Sequence, residues 1–145
     1  MTISWSLTID CREPQAVARF WAVALGYVEQ PPPTGWETWD DWFRHFAVPE
    51  EDRGDVAALC DPDGVLPSIS LLRVPEPTRG KNRLHLDLQV SGGRAQPDEV
   101  RRPRIEAMVA RLAAAGGTVV ARHDHGGALD HVTMVDVEGN ELCIV

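Results

Sequence analysis

His85 and Asp87 stand two residues apart in a run where Leu84, Leu86, Leu88 and Val90 alternate with His85, Asp87 and Gln89. In a strand that spacing puts the imidazole and the carboxylate on one polar face, with the leucines on the other. A lone strand histidine is most often a hydrogen-bonded core group, but here the leucines occupy the apolar side. An imidazole titrates near pH 6.5 in water, so His85 suits general acid or base work near neutrality. Glu141 and Cys143 repeat the two-residue spacing near the end of the chain, so both face one way in a strand. Glu141 can partner His85, although a plain turn or surface role fits it equally well. Cys143 has no sequence feature that lowers a thiol pKa and reads as inert packing. His123, Asp124, His125, Asp130 and His131 are metal-ligand types, but Gly126 and Gly127 sit among them, and the segment reads as a solvated hairpin connection.

Three tryptophans, Trp36, Trp39 and Trp42, follow Pro31, Pro32 and Pro33. Trp39 and Trp42 form a stripe at helical spacing with Phe43 and Phe46, opened by Thr38 and Asp41 in capping-box positions. Such a stripe is first expected to be core; its second reading is a wall for a planar or apolar ligand.

The elements that must position these groups occur twice. Residues 4–10 alternate Ser4, Ser6, Thr8 and Asp10 with Trp5, Leu7 and Ile9, which predicts a strand. Residues 14–26 form a helix pattern with Val17, Phe20, Trp21 and Ala24 on one stripe, expected to cover the apolar face of its sheet. Strands are predicted over residues 56–60 and 68–74, flanking an Asp61-Pro62-Asp63-Gly64 turn. The second half repeats the order: strand 84–90, a helix over 103–116 with Ile105, Met108, Val109 and Leu112, strands 118–122, 131–135 and 141–145, and an Asp136-Val137-Glu138-Gly139 turn. Residues 91–102 are expected to be surface loop. One globular domain of two pseudo-repeats, about 1–77 and 81–145, follows, with any shared site between them.

The chain has 145 residues, 43% hydrophobic and 25% charged, enough for one well-buried core. A net charge of −8 leaves no basic stripe for phosphates, which argues against nucleic acid or an anionic membrane as partner. The opening Met1-Thr2-Ile3-Ser4-Trp5 runs straight into a strand pattern, and no apolar run nears the roughly 20 residues of a membrane span; a cytoplasmic protein is expected. Cys11, Cys60 and Cys143 are odd in number and widely spaced, so reduced thiols are expected.

The chain resembles the vicinal oxygen chelate superfamily, which includes glyoxalase, extradiol dioxygenases and fosfomycin or bleomycin resistance proteins. The resemblance rests on Ala18-Arg19-Phe20-Trp21, Leu25-Gly26-Tyr27, Arg73-Val74-Pro75-Glu76-Pro77, Lys81-Asn82-Arg83-Leu84-His85-Leu86-Asp87 and Glu138-Gly139-Asn140-Glu141, which look like a glyoxalase-like actinobacterial branch. It implies an α+β fold of two βαβββ modules whose mixed and antiparallel strands form a curved sheet, with helices outside and a ligand cleft inside. It also implies four metal-ligand positions, one on the first and last strand of each module, usually His or Glu. Those positions hold Ser6, Leu72, His85 and Cys143 here, a poor set for Mg²⁺, Mn²⁺ or Fe²⁺. No cofactor is therefore expected, and a metal-free pocket is.

These readings favour a small-molecule-binding homodimer that carries out lyase- or isomerase-type proton transfer with His85 and Glu141. Ser6, Leu72, Asp87 and Cys143 would line the site and Trp39 or Trp42 would wall it. The alternatives are a non-catalytic binder that sequesters a drug or metabolite, its acidic surface favouring a cation, and a metal-dependent lyase or dioxygenase.

Overall fold

A computed structural model describes residue 4, residues 6–77, 79–80 and 84–145. The sequence expectations for Trp5 and for the Lys81-Asn82-Arg83 part of the family motif lie outside the described residues.

Two four-stranded mixed sheets and three helices make an α+β fold. The first sheet contains β1 (Leu7–Cys11), β2 (Val28–Glu29), β3 (Val56–Cys60) and β4 (Ile69–Arg73), in the order β1-β4-β3-β2. The second contains β5 (Leu86–Leu88), β6 (Thr118–His125), β7 (Ala128–Val135) and β8 (Glu141–Ile144), in the order β5-β8-β7-β6. In each, the first strand runs parallel to the fourth and the other pairings are antiparallel. The two sheets thus share one topology, as the internal echo of the sequence predicts.

The helices are α1 (Pro14–Leu25), α2 (Trp39–His45) and α3 (Asp98–Ala114). All four residues of the α1 stripe, Val17, Phe20, Trp21 and Ala24, are buried. Its partner is not only the first sheet, however. Contacts divide the chain into one unit running through Ala18 and resuming at Gly26–Pro77, and another made of Arg19–Leu25 and the chain after Pro77. The second half of α1 joins the second unit because Trp21 Nε1 donates to Asp136 Oδ2 at 3.0 Å, and because Phe20 packs where a Cβ on Gly117 would come within 2.8 Å of its ring.

Helix α3 starts five residues before the predicted Pro103, which becomes an interior residue. Pro103 cannot donate to the preceding turn, a fault that normally ends a helix. Here hydrogen bonds, two of them to β7, hold the extra turn. Asp98 Oδ1 accepts from the Leu129 backbone, Asp98 Oδ2 accepts from Arg102 Nε at 2.7 Å, and buried Arg101 donates through Nη2 to the Asp130 carbonyl. At the far end Gly116, with φ 100°, and Gly117 return their N–H groups to Ala113 and Leu112, a Schellman closure.

Helix α2 begins where Thr38 was expected to cap it: the hydroxyl accepts from Asp41 N and donates to Asp41 Oδ2 at 2.6 Å. Its aromatic stripe is not core. No α2 residue is buried, and Phe46 just beyond is 55% exposed. Seven residues give too short an apolar face to sink into a sheet, so the rings pack on one another, with Trp39–Trp42 and Trp42–Phe43 centroids 5.7 and 5.6 Å apart at steep angles.

The segment around His123, read as a hairpin connection, is a hairpin whose strands run almost to its tip. Only Gly126 and Gly127 form the turn, at φ 61° and 84°, the conformation a two-residue connection demands. His123, Asp124 and His125 lie in β6 and Asp130 and His131 in β7.

Candidate functional site

The second sheet has two chemically different faces. Leu88, Val132, Met134, Leu142 and Ile144 are buried on the side of α3. Strand alternation sends Asp87, Cys143 and Thr133, which are paired in register across β5, β8 and β7, to the opposite face. Two residues earlier on their chains, His85 and Glu141 point the same way.

On this face His85 Nε2 lies 3.3 Å from Asp87 Oδ1. The ligating atoms of His85, Asp87 and Cys143 all lie within 4.8 Å of one another, the only such metal-type group among the described residues. The Cys143 thiol is buried and sits 3.7 Å from Thr133 Oγ1, which in turn lies 3.1 Å from His123 Nε2. His123 and His131 stack with centroids 4.1 Å apart and planes 13° from parallel. His131 Nδ1 then meets Asp130 Oδ2 at 2.9 Å, and Arg94 grips both Asp130 oxygens at 2.7 and 2.8 Å. Those hydrogen bonds, from Arg94 first and His131 second, hold the Asp130 carboxyl far below the usual carboxylate range.

The histidine pair owes its position to a bulge. A regular two-residue hairpin around Gly126 and Gly127 would pair His123 with Asp130, whereas the register shifts at His123/Asp124 and pairs it with His131. Asp130 becomes the extra residue, and the carbonyl freed from the ladder accepts from Arg101. The shift turns His131 and Thr133 toward the polar side while Arg122 turns toward α3, where it bonds Glu106 at 2.8 Å. Sequence spacing alone missed His123, His131 and Thr133 as neighbours of Cys143. The available signal was the Gly126-Gly127 pair, which centres a hairpin.

The first-module positions fall on the first sheet. Ser6 is exposed just ahead of β1, and Leu72 on β4 pairs with Asp10 and is 40% exposed. Leucine offers no donor, and Ser6 offers only a hydroxyl. Trp39 and Trp42 lie elsewhere on the first unit. They line a pocket of about 240 Å³ with Phe43, Glu29, Gln15, Arg53 and β3 residues Val56, Ala57 and Ala58, against the edge of β3 that two-residue β2 leaves open. The structure gives these tryptophans a pocket of their own at the far edge from β1.

The resemblance noted in the sequence implies a divalent metal, and the donor chemistry can be tested against it. One imidazole, one carboxylate and one thiol suit Zn²⁺, which accepts three such protein ligands and keeps an open position, and they do not suit the all-oxygen demands of Mg²⁺. His85, Asp87 and Cys143 are therefore the residues able to hold such an ion.

The glyoxalase-like domain family model matches residues 6–145. None of the curated proteins compared with the chain matches it. Solved structures of similar fold include a possible glyoxalase from Bacillus cereus, at 13% identity and TM-score 0.59, covering 100% of this chain and 99% of that one. A glyoxalase/bleomycin resistance protein/dioxygenase family enzyme from Burkholderia phytofirmans shares 15% identity at TM-score 0.58, with 96% and 94% covered. The fosfomycin resistance protein FosX from Mesorhizobium loti shares 8% at TM-score 0.61, with 99% and 90% covered. At these identities the likeness speaks for the fold, and the family match over nearly the whole length agrees with it. The chain belongs to the glyoxalase-like domain family.

Proposed function

We propose that this protein binds a small organic molecule against the polar face of its second sheet and moves a proton on it, in a lyase- or isomerase-type reaction that needs no metal. His85 is the acid–base group. Asp87, 3.3 Å away, orients the imidazole, and Glu141 on the same face is the second proton carrier. The observation that carries this reading is the grouping of His85, Asp87 and Cys143 on one face of paired strands, with Glu141 two residues before Cys143 on β8. A cytoplasmic homodimer of the actinobacterial branch goes with the same reading.

The test is turnover of an enolisable 2-oxo-aldehyde by chelator-treated protein. His85→Ala is expected to lower kcat by 10²- to 10⁴-fold, the usual worth of a positioned acid or base. Equal activity in wild type and His85→Ala would remove the proposal. Saturable binding without turnover would favour a sequestering protein.

A second reading is favoured by the 4.8 Å grouping of His85, Asp87 and Cys143: a zinc-dependent lyase. Bound there, Zn²⁺ supplies a Lewis acid for a carbonyl or water. Stoichiometric zinc in protein purified without chelator, lost in Cys143→Ser and Asp87→Asn, would select this reading over the metal-free one.

A further inference from the structure

We infer that the pocket at the open edge of β3 is a separate binding site for a small aromatic organic cation. Its volume of about 240 Å³ exceeds the roughly 150 Å³ cavity that takes up benzene and stays below the roughly 300 Å³ at which drug-sized sites begin. That size suits one ring with a short charged arm. Trp39, Trp42 and Phe43 line one side, and the floor contains Ala57 and Ala58, whose small side chains leave the space open.

Charge selects the cation. Glu29 is exposed on β2 and lines the pocket, and its carboxylate makes no ion pair or hydrogen bond with any described residue. The pocket's own cation, Arg53, is already engaged: Nη1 lies 3.6 Å from Asp40, Nε donates to the Val48 carbonyl, and its guanidinium sits 5.9 Å over the Phe43 ring. The uncommitted charge is therefore negative. The indole faces add cation–π attraction, and the net charge of −8 raises the local cation concentration. Trp39 is fixed for this role because its Nε1 donates to the Gln30 carbonyl at 2.8 Å.

Titration calorimetry of the full chain with benzyltrimethylammonium, and with benzoate as an anion of similar size, tests the assignment. The cation is expected to bind and benzoate is not. Glu29→Gln should weaken the cation about tenfold, and Trp42→Leu, which keeps apolar bulk but removes the π face, by a similar factor. His85→Ala and Cys143→Ser should leave it unchanged, which separates this site from the polar face of the second sheet. Glu29 is exposed, so Glu29→Gln is expected to keep the wild-type melting temperature and carries the test even if Trp42→Leu loosens α2. Tighter binding of benzoate, an unchanged Kd in Glu29→Gln, loss of binding in His85→Ala, or no heat at millimolar cation would each overturn the inference.

Discussion

Asp130 shows how a single residue can serve two elements at once. Its carboxylate takes two bonds from Arg94 and one from His131, while its carbonyl takes Arg101. Because its folded pKa is depressed, the stabilisation is fully present above the unfolded value near 3.9 and is lost as pH falls below it toward the lower folded value. Asp130→Asn should therefore lower Tm at pH 7 by about 4–8 °C, and the gap from wild type should narrow below pH 4. Thermal denaturation of both proteins across pH 2–7 measures this; a gap constant with pH would remove the electrostatic account. Asp136 plays the corresponding part in its turn. Buried, it accepts from Glu138 N, Asn140 N, Asn140 Nδ2 and Trp21 Nε1. Asp136→Ala strands these donors and should cost about 3 kcal/mol or more in urea denaturation.

Among the elements, the junction of α3 with β6 leaves no room for an added methyl. A methyl at Gly117 would meet the Phe20 ring at 2.8 Å and the carbonyls of Leu112 and Val135 at 3.1 and 3.2 Å. Gly117→Ala should destabilise by about 1–3 kcal/mol, whereas Gly54→Ala, which meets nothing within 4 Å at an ordinary φ, should change denaturant midpoints little. Strands with one apolar face, such as β4 and β8, were legible in the sequence because alternation is itself the imprint of half burial. The same rule hid the end of β6 beyond the predicted residue 122. Its residues are nearly all exposed, so His123 to His125 looked like loop, and only the turn demanded by Gly126 and Gly127 extends the strand to them. Two-residue β2 carries no periodicity to read. The start of α3 was obscured by Pro103, since the bonds of Asp98 and Arg101 that outweigh it come from distant residues. In the candidate site, the pairing of His85 with Asp87 was readable from spacing of two; the approach of Cys143 to them, and of Thr133 and His123 to Cys143, depends on cross-strand register and on a bulge, neither of which is local in sequence.

At the level of the whole molecule, the sequence repeats and the packed units do not share a boundary. The repeat divides near residue 78, yet Arg19–Leu25 pack with the later unit. A fragment of residues 79–145 lacks Phe20 and Trp21 and should show helical far-UV but weak near-UV dichroism, with dye-binding apolar surface. Restoring residues 12–27 as a separate peptide should sharpen its unfolding transition; native-like cooperativity without the peptide would contradict the role given to α1. The same shared helix sets a clock on biosynthesis. Trp21 and the carboxylate it bonds are 115 positions apart. At about 5–20 residues per second the ribosome needs roughly 6–23 s to deliver Asp136 after Trp21. For that interval two of the largest core aromatics wait without the partners that will bury them, so the nascent chain itself is where chaperone dependence and aggregation should first be visible.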